Sequence, residues 1–137
     1  MELEKAKQIA EEYIESVRDD YQRIEIVGSI RRGKPIVKDI DLVAIPKIPQ
    51  TRKILKTEYK GIVIETYLTT EENYECLRLF RTGSADHNIR LCMEARRRGW
   101  QLKASGDGLI TPNGVIRTEE DILVSLLGQY VEPRNRR

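Results

Sequence analysis

Asp39 and Asp41 are two residues apart in the run DIDLVAI, residues 39–45, whose β-branched composition predicts a strand. Strand alternation points both carboxylates to one face and Ile40 and Leu42 to the other. Two carboxylates held a few ångströms apart repel each other. A divalent cation removes that repulsion, and hard oxygen ligands suit magnesium. A second run, KGIVIETYL at 60–68, places Glu65 among alternating apolar residues. If the two strands pair, Glu65 faces the aspartates. Three such carboxylates can hold two ions, one for an attacking oxygen and one for a leaving phosphate. An isolated D-x-D also fits an ordinary solvated sheet face, so the residues upstream decide the matter.

Those residues form a turn suited to phosphate. Gly28-Ser29 ends a predicted strand. Arg31, Arg32, Lys34 and Lys38 follow within one loop that leads directly into the aspartates. Glycine lets backbone approach a ligand, Ser29 adds a hydroxyl donor, and the cations match phosphate oxygens. Amides and cations on the phosphates with carboxylates on the metal are what a magnesium triphosphate requires. The blander alternative for the same residues is a basic surface turn. No G-x-x-x-x-G-K-[ST] loop occurs, which excludes a P-loop NTPase.

The elements that must position these groups follow from periodicity and punctuation. Ile9, Tyr13, Ile14 and Val17 recur at helical spacing in a segment from about Glu2 to Arg18. Strands are predicted at 23–27, 39–45 and 60–68, with a short helical turn at SIRRG. Thr70 is placed to cap a helix that stops at Thr82-Gly83, and Ser84 to cap another that runs to about Arg98. Residues 100–117 read as short strands and turns, Thr118 opens a last helix, and VEPRNRR forms a basic tail. With strands in the first half and helices dominating the second, the fold class expected is α+β.

Composition narrows the setting. Residues 1–75 carry 13 Lys/Arg against 15 Asp/Glu, a balance of −2, and residues 76–137 carry 11 against 7, a balance of +4. An acidic part followed by a basic one suits a metal centre beside a polyanion-binding surface. The 2 cysteines, Cys76 and Cys92, are too few for a disulfide framework. They fit a reducing, cytoplasmic location. No run is long and apolar enough to span a membrane.

The stretch GSIRRGKPIVKDIDLVAIP resembles the signature of the DNA polymerase beta-like nucleotidyltransferase superfamily, and within it most closely the DNA polymerase X family. FRTGSADHNIRL resembles that family's thumb motif, and TEEDILVSLLGQYVEPRNRR its C-terminus with the Tyr-x-x-Pro-x-x-Arg ending. The resemblance implies a nucleotidyltransferase palm over residues 1–75, built on a small mixed or antiparallel sheet flanked by helices. It implies a small thumb-like lobe over residues 76–137. The implied activity is template-directed DNA synthesis: a deoxynucleoside monophosphate moves from a magnesium-bound triphosphate to a primer 3′-hydroxyl on primer–template or gapped DNA. Two magnesium ions serve it, manganese can substitute, and the enzyme is expected to be a monomer.

The same resemblance assigns residues. Asp39 and Asp41 bridge both metals, and Glu65 takes the place of the third carboxylate. Gly28, Ser29, Arg32 and the amide of Lys38 hold the triphosphate. Phe80 and Arg81 lie beside the incoming sugar, Gly83 and Ser84 form the bend beneath it, where the family often has a cis peptide, and Asn88 reaches the minor-groove edge of the base. Arg90, Arg96 and Arg97 are candidates for nucleic-acid phosphates. The chain departs from the family at three of these places. The third carboxylate is Glu65 rather than Asp, Arg81 replaces an aromatic residue, and Cys92 stands where a template-contacting arginine is frequent. The last two keep open a template-independent nucleotidyltransferase acting on a nucleic-acid end or a protein. A non-catalytic nucleic-acid-binding module is the third reading. His87 is expected at the surface or in a cap, Trp100 in packing, and Arg134, Arg136 and Arg137 on DNA or in a solvated tail.

Overall fold

The computed structural model describes all 137 residues. Ala6, Ile9, Ala10 and Ile14 repeat along one face of helix α1 (Leu3–Val17), and that stripe is buried. It covers one face of a four-stranded sheet, where it meets Ile40 and Leu42 of β2 (Ile40–Pro46) and Ile62 and Ile64 of β4 (Ile62–Leu68). β1 (Tyr21–Val27) pairs antiparallel with β2, β2 pairs parallel with β4, and β3 (Ile54–Tyr59) pairs antiparallel with β4 at the edge. The sheet order is therefore β1-β2-β4-β3. On the opposite face Val43 and Ile45 pack beneath Tyr74 and Leu77 of α3 (Tyr74–Thr82).

α3 serves two cores. Its Cys76, Leu79 and Phe80 enter a second cluster with Leu91 and Ala95 of α4 (Ala85–Arg97) and with Ile122, Leu123 and Leu126 of α5 (Glu119–Leu127). A small antiparallel sheet of β5 (Gln101–Lys103), β6 (Gly108–Thr111) and β7 (Gly114–Ile116) adds Leu102 and Leu109 to that cluster. α2 (Gly28–Arg31) is one short turn following β1. The fold is α+β with a mixed sheet, as expected.

Three expectations need correction. β3 was not anticipated, because ILKTEY is largely solvated and its alternation is short, with only Leu55 and Tyr59 reaching the cores; its pairing with β4 makes it a strand. The helix expected to be capped by Thr70 starts at Tyr74 instead, and Thr70 Oγ1 accepts from the amide of Asn73 at 3.4 Å in the preceding turn. The tail is not solvated throughout, since the Arg136 side chain has no exposure. The caps at Ser84 and Thr118 form, accepting from the amides of His87 and Asp121 at 3.2 and 3.1 Å.

Arg136 is buried because it meets Glu119, whose side chain is only 3% exposed. Arg136 Nη1 donates to Glu119 Oε2 at 2.7 Å, Arg31 donates to both oxygens at 2.7 and 2.9 Å, and Arg78 Nε lies 3.3 Å from Oε1. Burial alone would push the Glu119 carboxyl up. The hydrogen bond from Arg31 and the charges of Arg136 and Arg31 outweigh it, so the carboxyl sits below its ordinary range. One carboxylate thus ties α2, α3, α5 and the tail together. Replacing it leaves three guanidinium groups crowded without their counter-charge. Glu119→Ala should lower the unfolding free energy by about 3–5 kcal/mol in urea denaturation, and a loss below about 1 kcal/mol would contradict this account of the cluster.

Candidate active site

β2 and β4 run parallel with Asp41 opposite Glu65. The two carboxylates therefore emerge side by side, and Asp39 sits one residue before β2 begins. Burial, then the charges of Glu65 and Asp39, raise the Asp41 carboxyl to about 6, while Arg81 and Arg32 pull it down. Glu65 is held by a neighbour on its own strand: Tyr67 Oη donates to Glu65 Oε2 at 2.8 Å. The Arg81 guanidinium lies 4.0 Å above the Tyr67 ring. Burial, that hydrogen bond and the Asp41 charge raise the Tyr67 phenol to about 12. No three His, Cys, Asp or Glu side chains are gathered closely enough to grip an ion as they stand. Asp41 and Glu65 share one side of the sheet and Asp39 lies near enough for its charge to act on Asp41, without the three closing on a point.

Two glycine turns frame this group. Gly28 has φ +65, and a Cβ there would stand 3.0 Å from Asp41 Cβ and overlap its Oδ2. Only glycine fits both the backbone conformation and the space. Ser29 follows, half-buried, on α2. Arg32 ends that turn, and its Nη1 donates to the carbonyl of Thr82. Gly83 has φ +75, and a Cβ on it would come within 2.8 Å of Arg32 Nη1. The Gly83–Ser84 peptide bond is cis. Arg32 thus bridges the carboxylate side and the Gly83–Ser84 bend. Its Nε is buried without a partner, and burial lowers the pKa of its guanidinium against the opposing charge of Asp41. Arg31, beside it, donates to Thr82 Oγ1 at 2.7 Å as well as to Glu119.

The remaining candidates fall in several places. Phe80 is buried in the second core, and its carbonyl accepts from Asn88 Nδ2 at 2.9 Å, leaving Asn88 Oδ1 buried without a partner. Arg81 is exposed at the end of α3. Lys38 is exposed and lines a shallow hollow with Met1, Glu2, Lys5 and Gly61. Arg90, Arg96 and Arg97 are exposed on α4; Arg90 donates to the Arg137 carbonyl, and Arg97 lies 3.4 Å from Glu94. Trp100 and Cys92 pack against the second core.

His87 is not at the surface. It is 2% exposed and neither ring nitrogen has a partner. Burial, then the charges of Arg136 and Arg90, lower its imidazole pKa to about 4, so it is neutral at neutral pH. Sequence reasoning also missed Tyr67 and Arg31. Tyr67 carried a readable signal, since it lies two residues beyond Glu65 on a strand and so shares its face. Arg31 was counted only among the loop cations, because its partner Glu119 is 88 residues away.

Residues 77–137 match the family model for the DNA polymerase beta thumb. The match is in accord with the resemblance to the X family over the second part of the chain, and residues 1–76 lie outside it. A comparison with curated proteins finds no match. No helix is long and apolar enough to cross a membrane.

The Gly28 turn gives a direct check of this geometry. Gly28→Ala forces a left-handed Cβ into Asp41 and should destabilise the protein by about 2 kcal/mol or more. A melting temperature equal to that of the wild type would show that the turn and Asp41 are not packed as described.

Proposed function

We propose that this chain, with a DNA polymerase beta thumb for its second lobe, is a minimal DNA polymerase. Residues 1–75 would form the palm and residues 76–137 the thumb. The observation that carries the reading is the pairing of Asp41 with Glu65, beside Asp39, where the Gly28 turn and Arg32 meet the Gly83–Ser84 bend. The thumb match over residues 77–137 supports a polymerase-related reading. Template direction and chemistry rest on the site.

The donor set fits magnesium. Three carboxylates offer hard oxygens only, and Asp41 is part-buried with the charges of Glu65 and Asp39 close to it. Asp39, Asp41 and Glu65 would hold two magnesium ions, with manganese as a substitute; bound there, the ions supply charge neutralisation for the attacking and leaving oxygens. The chain's own groups do the rest. Ser29 and Arg32, with the Gly28 turn and the Lys38 amide, grip the triphosphate of a deoxynucleotide. Gly83, Ser84, Arg81 and Asn88 set its sugar and base. Arg90, Arg96 and Arg97 take DNA phosphates in a salt-sensitive way. The primer 3′-oxygen forms the new bond to the α-phosphorus, the α–β bridging bond breaks, pyrophosphate leaves, and the hydroxyl proton passes to solvent.

Arg81 and Cys92 favour a second reading, a nucleotidyltransferase that ignores a template. Arg81 stacks on Tyr67, and Cys92 packs against the thumb core. Extension of a primer on gapped DNA with each deoxynucleotide separately distinguishes the two. We expect addition of the template-dictated nucleotide only, while equal addition of all four would replace this reading by the second. Asp41→Ala should reduce transfer by roughly 10³-fold or more with the far-UV spectrum unchanged. Retained transfer would overturn both readings.

A further inference from the structure

We infer that Tyr67, held between the sheet-side core and Arg81, is a positioning residue that fixes the Glu65 carboxylate for the ion it serves; this rests on the reading of the site proposed above. Glu65 has one more methylene than aspartate, and so one more freely rotating bond whose freedom must be lost before the carboxylate can act. A loosely held ligand of this kind costs both affinity and rate. The structure supplies the restraint. Tyr67 lies two residues along the same strand and on the same face, with its hydroxyl donating to Glu65 Oε2 at 2.8 Å. That leaves Oε1 free of this bond.

Tyr67 is itself held. Its ring packs against the cluster of Val27, Val43, Ile45, Tyr74 and Leu77 on one side. On the other side the Arg81 guanidinium lies 4.0 Å above the ring, a cation–π contact. Arg81 belongs to the last turn of α3, so the end of that helix helps hold the ring that holds Glu65. The pairing explains two departures of the chain together. The longer carboxylate at 65 reaches the tyrosine hydroxyl, and an aspartate there, shorter by about 1.5 Å, would not. The arginine at 81 covers the tyrosine ring.

Four proteins test this: the wild type, Y67F, E65D and the double variant, each as the full chain. Two quantities are read on each. One is the dissociation constant of Mn²⁺, titrated calorimetrically with a non-hydrolysable deoxynucleoside triphosphate present. The other is kcat and KM for single-nucleotide extension. Y67F removes one hydroxyl and keeps the ring. It should weaken Mn²⁺ binding and lower kcat, each by about 10-fold, with KM for the nucleotide unchanged. E65D should lose a similar factor, and the double variant should be no worse than E65D, because both changes break the same contact. If Y67F fails to fold, E65D carries the prediction alone: an E65D protein as active as the wild type, with equal Mn²⁺ affinity, would overturn the inference. Wild-type behaviour of Y67F, or losses that multiply in the double variant, would also overturn it while leaving the proposed function standing. A wild-type protein that binds no Mn²⁺ and extends no primer would remove the proposed function and this inference with it.

Discussion

Everything at the site depends on one register: β2 and β4 run parallel with Asp41 beside Glu65. The pairing places like charges next to each other on a half-buried face, and no backbone hydrogen bond compensates for that. The surrounding residues read as responses to it. Gly28 lacks a side chain because Asp41 fills the space a Cβ would need. Arg32 and Arg81 bring positive charge near enough to pull the Asp41 carboxyl down, yet burial and its two acidic neighbours still leave it raised. Tyr67 takes one oxygen of Glu65. The group remains short of positive charge, which is the condition a divalent ion would relieve.

A second constraint sets the two lobes relative to each other. Glu119 opens α5 yet is buried under guanidinium groups from α2, α3 and the tail. Arg31 links this cluster to Thr82, and Arg32, the next residue, reaches the Thr82 carbonyl. The bend at Gly83–Ser84 follows immediately. Arg32 and the Gly83–Ser84 bend are therefore referenced to the same backbone carbonyl. α3 adds to this by contributing apolar residues to both cores, so the lobes share a helix as well as an ion cluster.

Local features were legible in the sequence, and distant pairings were not. The alternation in DIDLVAI and GIVIETYL showed which residues share a face, and pairing in that register brought Asp41 and Glu65 together. The caps at Ser84 and Thr118 depend on residues three positions away and were readable. β3 was not, because an edge strand that buries only part of Leu55 and Tyr59 on one face carries a weak apolar period and is defined by its partner. Arg136 and His87 were misjudged for a related reason. A basic residue near the chain end and a lone histidine look exposed in sequence, and only the packing of α4 and α5 against the tail buries them. The thumb match covers residues 77–137, and the carboxylate face lies outside it. The face must therefore be judged on its own geometry.

The most direct test of that face is the melting temperature of the wild type and Asp41→Asn at pH 7.5, each with and without millimolar magnesium. Without the ion, removing one of the crowded charges should raise the melting temperature by a few degrees. With magnesium, the wild type should gain stability by linkage to binding and Asp41→Asn should gain little. An Asp41→Asn protein less stable than the wild type without the ion, or an equal magnesium gain in both proteins, would contradict the claim that these carboxylates form a divalent-cation site.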